Sequence, residues 1–534
     1  MKRIYLCMAL VASVWGAQMA SARQITANET VTLTADSSED YEVAANVALT
    51  FEVASGTRTH SGTITGAGKV IKMGAGTLAI SGNNSYSGGF DLSNGVIRAD
   101  SATAFGTGDF VAHSTAAAGS LRLIFNAPDG VFANNFSNTG TGTKGLVGKP
   151  YLLFQANTTI DGDFFIGSET WIGSSSAAPT VTFNKRYGVA SGNVGTIYNT
   201  YGTIHFKGAI RPANFHVGNN NGETGTVHLW SPDNSFSGQL VFYQGSVVCE
   251  AANVVSGCSL AFWRDCSATP AVFDMNGFGQ TAKCLNKYGS PTLPTASTPG
   301  LKVYSAEPAT LTLTGTGANK TETGYFAISG KASLLLNAAS TFKQVITRRA
   351  SDTTGSIEVR SGIFEMADSA TFKNLSSITV AEGMSFLMNS TSPLALENVG
   401  KLTLNGTFTV GASSSQPFGY NTLDLEMGPS AQLSLPSGSV LTVKSLKVNG
   451  ETVEGIVNAG ECGLVSGTIY VNDAATVDTW TGNGASQSIA LADNWQSRST
   501  PGLNGGLSAT FAAADAVGLT ADIDRDVILS SMTL

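Results

Sequence analysis

Apolar residues recur along this chain at alternate positions in short runs: Leu78/Ile80, Phe90/Leu92, Leu121/Leu123, then Ile357/Val359, Phe364/Met366, Ile378/Val380, Leu394/Leu396, Leu402/Leu404 and Phe408/Val410. A period of two places one set of side chains on one face of an extended strand, and Gly, Asn or Ser between the runs supplies the turns. No stretch of comparable length keeps a helical period. The pattern predicts an all-β chain of many short strands.

The strands repeat. Ser87 to Ala99 (SGGFDLSNGVIRA) matches Ser237 to Cys249 (SGQLVFYQGSVVC), and a third copy runs from Thr354 to Met366 (TGSIEVRSGIFEM). The shared template is a small residue, Gly, two alternating apolar positions, a second Gly and a further apolar position. It reads as strand, turn and strand, with the second Gly free to take positive φ. Two copies extend upstream, through Asn84-Ser85-Tyr86 and Asn234-Ser235-Phe236, to Gly76-Thr77-Leu78 and Gly225-Thr226-Val227. Copies this far apart require more degenerate coils between them.

Composition narrows the class. The 534 residues carry 42% hydrophobic side chains, 61 Gly and only 13% charged residues, with a net charge of −8. Such a chain can bury a core, and its low charge density does not fit a disordered tail. Nucleic-acid binding is not expected, because counterion release needs clustered cations. The basic pairs Lys185-Arg186 and Arg348-Arg349 are isolated and read as solvated surface.

The N-terminal segment 1–22 reads as a cleaved secretory signal: Lys2-Arg3, an apolar run from Ile4 to Trp15, and Ala20-Ser21-Ala22 at the cleavage site. An apolar run this short does not span a hydrocarbon core, so no membrane-spanning segment is expected in the mature chain. Cys7 leaves with the signal. Of the remaining cysteines, Cys249, Cys258, Cys266, Cys284 and Cys462, the first four lie close in sequence without a CxxC pair or a nearby His. One or two local disulfides are expected, with buried thiols acting as small hydrophobes the alternative.

Gly66 to Leu78 (GAGKVIKMGAGTL), then Ser81 to Gly88 (SGNNSYSG) and the closing Phe105-Gly106-Thr107-Gly108, resemble the passenger-associated transport repeat, also called the autotransporter-associated β-strand repeat. Asp274 to Phe278 (DMNGF) resembles another strand-turn element of such chains. The resemblance is strong over about residues 62 to 108 and partial in the two later copies. It implies a right-handed parallel β-helix, for which coils of about 22 residues are assumed within the range of known repeats. Tandem β-sandwiches are the alternative packing of the same strands.

The expected organisation is a signal peptide (1–22), a β-helix with strand repeats (23–288), a Pro-rich loop or break (289–309), a continuation of the β-helix (310–472) and an incomplete C-terminal repeat module (473–534). The break rests on Pro291, Pro294, Pro299 and Pro308. The family also leads one to expect a C-terminal membrane barrel, for which too few residues follow the regular strands.

Candidate chemistry is sparse. The chain has no nucleophile elbow, HExxH, phosphate loop or dinucleotide fingerprint, so no catalytic, cofactor or metal residue is assigned. His60, His113, His205, His216 and His228 are scattered. Asp522, Asp524 and Asp526 share one face if their segment is a strand, and are read as a solvated face rather than a Ca²⁺ site. Trp171, Trp230, Trp263, Trp480 and Trp495 are read as core or coil-edge packing, with stacking on sugars the functional alternative. The resulting expectation is an exported stalk or adhesin without catalysis, at the surface of or outside a Gram-negative-type bacterium, with glycans or a host or neighbouring cell surface as partners. The alternative is a pectate lyase-like β-helix enzyme that degrades polysaccharides.

Overall fold

A computed structural model describes residues 21–471, with the exception of 114–120, 140–151, 166–168, 175–177, 189–195, 200–201, 213, 219–224, 263–270, 288–300, 316, 318, 325, 348–349, 393, 413–416 and 419–422. It also describes three further strands, Asp478–Trp480, Ser508–Phe511 and Ser531–Thr533. The signal-peptide reading of 1–22 therefore falls almost wholly outside the described residues. Every regular element among those residues is a strand.

The strands stack as a parallel β-solenoid. An 11-stranded sheet runs from Thr57–His60 to Leu285–Lys287, and a 9-stranded sheet from Glu29–Thr32 to Ile210–Arg211. A 19-stranded sheet, here the long sheet, begins at Gly130–Phe132 and ends at Glu451–Val453. A 7-stranded sheet from Thr321–Gly324 to Leu464–Ser466 serves the C-terminal half. Each strand pairs with the equivalent strand one coil away: Val70 lies on Phe90, Phe90 on Phe110, Phe110 on Phe136, and Phe136 on Phe164. Coil length thus varies, since the step from Phe90 to Phe110 is shorter than that from Phe136 to Phe164. Parallel ladders between successive coils exclude the sandwich alternative, whose sheets are antiparallel. Among the described residues, antiparallel pairing is confined to the C-terminal end of the stack, where Glu451–Val453 folds back on Ser445–Val448 and Gly455–Asn458 on Thr468–Val471.

The alternation seen in the sequence decides what is inside. In Val96–Ala99, Ile97 and Ala99 are buried while Val96 and Arg98 face outward, and the same pattern holds in Lys401–Leu404. Because the coils are in register, identical positions form columns. Phe90, Phe110, Phe136, Phe164 and Tyr187 stack through five coils with ring centroids 5.0 to 5.5 Å apart. Phe364, Phe386 and Phe408 repeat the device in the C-terminal half at 5.1 and 4.9 Å. Each such pair adds roughly 0.5–1.5 kcal/mol beyond burial. Leu394 is an exception among the expected apolar pairs: it sits in a turn with φ of 51°, and only Leu396 enters a strand.

The turn glycines of the template behave as read. Gly95, Gly245 and Gly362 have φ of +77°, +89° and +112°, and a Cβ on Gly95 would lie 2.4 Å from the carbonyl oxygen of Gly74. The upstream Asn of the template is the buried polar group of a coil corner. Asn84 accepts the Ile64 amide at 2.8 Å and donates to the Ala104 carbonyl at 3.3 Å. Asn234 does the same with Ile210 and Val254, both at 2.9 Å. Two copies far apart in sequence therefore build one corner twice. Lys72, just upstream of the first copy, is fully buried and donates to the carbonyls of Met73, Gly74 and Asn94 at 2.6, 2.7 and 3.1 Å.

The Pro-rich stretch divides. Residues 289–300 lie outside the described residues, whereas 301–309 belong to the 13-residue strand Leu301–Leu313. Pro308 is tolerated because the register against Phe326–Asn337 shifts between Ser305 and Ala309. At a bulge the missing N–H breaks no ladder bond. Between the 11-stranded and 7-stranded sheets the ladder is interrupted. There the buried side-chain amide of Gln344 donates to the Leu285 carbonyl at 2.8 Å and accepts its N–H at 3.1 Å, reproducing a strand pairing with one side chain.

Candidate functional site

Between residues 180 and 304 the outward positions of the long sheet carry polar and aromatic side chains in register. One outward column reads Thr180, Thr203, Thr226 and Ser246. The next reads Thr182, His205, His228, Val248, Asp274 and Tyr304. At the end of these strands the chain presents Lys207, Trp230 and Glu250, each bonded through its N–H to the coil before.

These side chains are fixed by one another. The rings of His205 and His228 stack at 4.4 Å, and His228 Nδ1 is 2.7 Å from Glu250 Oε1. Asn276 donates from Nδ2 to Glu250 Oε2 at 3.3 Å. Burial, reinforced by the neighbouring His228, lowers the pKa of His205. Trp230 remains 41% exposed and Phe278 38%. Phe278 follows the Asn276-Gly277 turn, whose residues have φ of 49° and 80°, as an Asn-Gly turn requires. That turn is pinned by Asp274 Oδ1, which accepts the Asn276 amide at 2.8 Å, and by Ser305 Oγ, which accepts the Gly277 amide at 3.0 Å. The strand-turn reading of Asp274 to Phe278 describes this element.

The histidines, scattered in sequence, occupy four separate environments. His60 is buried between Tyr41 and Phe51, with centroids at 5.6 and 4.8 Å, and burial pushes its pKa down to about 4. His216 is buried near Tyr243 and is likewise lowered by burial to about 4. His113 Nε2 lies 3.1 Å from Asp91, which Lys69 also reaches at 3.0 Å. Only His205 and His228 meet. They are register partners on adjacent coils, and Glu250 lies one coil further on, so coil length was the signal that would have paired them. Among the described residues no group of three His, Cys, Asp or Glu is arranged to hold a metal ion.

The disulfide expectation is corrected for the described cysteines. Cys249, Cys258 and Cys284 are buried free thiols, and Cys462 is free and exposed. The three buried thiols behave as the small hydrophobes of the alternative reading. Burial raises Cys258 to about 12 and Cys284 to about 11, which keeps both protonated and unreactive. Cys266 lies outside the described residues.

Arg186 pairs with Asp163 and lies over the Phe165 ring at 5.2 Å, so this half of the basic pair staples two coils. Arg348-Arg349, Trp263, Trp495 and the Asp522, Asp524, Asp526 face lie outside the described residues. Trp171 and Trp480 fall on the strands Glu169–Ser174 and Asp478–Trp480.

No curated protein and no solved structure matches the chain. A family model does: residues 70–99, the strands and turns around Lys72 and Gly95, match the Passenger-associated-transport-repeat.

Proposed function

We propose that this chain is an exported, passenger-like β-solenoid that serves as a stalk or adhesin at the surface of, or outside, a Gram-negative-type bacterium, and that it performs no catalysis. The observation carrying this reading is the column of buried side chains from Ile25 to Ile469, shared between coils and clad in Thr, Ser, Asn and paired charges. A rod of this kind presents long outer faces along which many weak contacts with glycans or a neighbouring cell surface add together. In this reading residues 1–22 act as the signal peptide, and the mature chain is organised as 23–288, a Pro-rich break at 289–309 whose last residues, 301–309, join the strand Leu301–Leu313, a continuation over 310–472 and a C-terminal module over 473–534. The match at 70–99 supports export, since it names a repeat of transported passengers.

Expression of the full chain in a Gram-negative host tests the reading. The expected result is recovery outside the cytoplasm, with mass spectrometry placing the new N-terminus after Ala22 and with no release of reducing ends from plant or mucin polysaccharides. Retention of an uncleaved chain in the cytoplasm overturns export, and turnover of a polysaccharide overturns the non-catalytic role.

A further inference from the structure

The strip formed by Trp230, Glu250, Asn276 and Phe278 has the features of a preorganised ligand site, and we infer that it binds a neutral polysaccharide chain lying along the solenoid axis. The inference rests on the adhesin reading and names its ligand class and location.

The strip carries Trp230 and Phe278, the two aromatic residues among the exposed large hydrophobics of the described residues. The face of an indole or phenyl ring offers an apolar, electron-rich plane that fits the C–H face of a pyranose. Trp230 stands on one coil, Glu250 on the next and Asn276 on the one after, so the strip spans about 10 Å along the axis. Its acceptors are held before any ligand arrives. Glu250 is bonded to His228 through one oxygen and to Asn276 through the other, with only 19% of its side chain exposed. Phe278 is carried on a turn locked by Asp274 and Ser305, so little conformational freedom is lost on binding.

Charge selects the class. Carboxylates at Glu250 and Asp274, with Asp233 beyond Trp230, accept hydrogen bonds from hydroxyl groups and repel anionic polymers. The nearby cations do not reverse this. Lys302 is held over the Tyr304 ring at 4.9 Å and Lys331 pairs with Glu307 at 3.1 Å, while Lys207, at the equivalent position one coil before Trp230, offsets one of the three carboxylates. The overall charge of −8 acts in the same direction.

The test uses the full chain with cellohexaose, mannohexaose and chitohexaose as neutral probes and hexagalacturonate as the anionic one, followed by calorimetry and tryptophan fluorescence. At least one neutral hexasaccharide is expected to bind. Trp230→Ala weakens that binding about tenfold or more, and Trp230→Phe restores much of it. Glu250→Gln and Phe278→Ala weaken it several-fold. Met73→Ala, at an exposed residue remote from the strip, leaves it unchanged. Circular dichroism confirms that each variant is folded. Binding that survives Trp230→Ala overturns the strip while leaving the adhesin reading standing. Equal binding of hexagalacturonate overturns the ligand class. Failure of all three neutral probes overturns the inference, and the adhesin reading is then judged by adhesion of the exported chain to cells.

Discussion

The two halves of the solenoid turn their corners by different chemistry. Before residue 288 the corner is built by a buried side-chain amide that reaches from one coil to the next: Asn84, Asn134, Asn234 and, last, Gln280. After residue 300 the strand runs on through the corner. Leu301–Leu313 and Phe326–Asn337 bend at a bulge that includes Gly330, with φ of +69°. Small hydroxyl side chains fill the inside: Ser351 Oγ accepts the Ile328 amide at 3.0 Å, and Thr353 donates to the Ala332 carbonyl at 2.7 Å. An amide corner needs an Asn or Gln side chain at one position. A bulged corner accepts any small polar residue, provided a flexible backbone position is nearby. The first solution keeps the upstream Asn in the repeat, whereas the third copy, Thr354 to Met366, keeps only the strand pattern and the turn glycine Gly362.

The largest expected effect concerns the template glycines. Gly95→Ala combines an unfavourable positive φ with a Cβ 2.4 Å from the Gly74 carbonyl oxygen, and should cost about 3 to 4 kcal/mol. Gly438→Ala, also at positive φ but with nothing within 4 Å, should cost about 1 kcal/mol. Urea unfolding monitored by hydrogen exchange in each half measures both. Equal costs would show that coil-to-coil contact contributes nothing at the template turn.

Acid should then separate the halves, because all five histidines precede residue 229. His60 and His216 have folded pKa values of about 4 against the ordinary 6.5, so the unfolded chain binds protons first as pH falls. Stability is full above pH 6.5 and declines as pH drops through 4, by about 3 kcal/mol for each group. Hydrogen exchange at pH 4 and pH 7 should show earlier opening of residues 41–60 and 214–242 than of 356–410. A His60→Phe variant should abolish the effect around His60. Uniform acid protection across both halves would break the contrast.

A smaller and sharper test exchanges the corner groups themselves. Asn234→Leu leaves the Ile210 amide and the Val254 carbonyl buried and unpaired, at about 2 to 3 kcal/mol. Ser351→Ala strands one amide and should cost about 1 kcal/mol. A reversed order, read from denaturant midpoints, would mean that the hydroxyl corner is the more demanding one.

These corners explain how much of the fold was legible. Strand alternation, positive-φ glycines and the passenger-type repeat were visible because they depend on local geometry that few residues satisfy. Ala79, Asp91 and Val241 lie at outward strand positions yet are buried, because neighbouring coils and side chains cover them. Alternation alone assigns these positions to solvent. The Pro308 position misled because proline signals a break only where its N–H would have been used. The strip at Trp230 was illegible for another reason. His228, Glu250 and Asn276 become neighbours only through a coil length that drifts along the stack, so their sequence spacing carries no fixed motif.

The Gln344 bridge has a mechanical consequence. A rod with continuous ladders on every wall flexes only by straining all of them together. Here one wall exchanges its ladder for a single amide clasp at Leu285, while another wall continues unbroken from Val272–Asp274 into Leu301–Leu313. A bend at that level strains fewer backbone ladder bonds than one made where both of these walls are paired, so the clasp marks a softer joint in the rod.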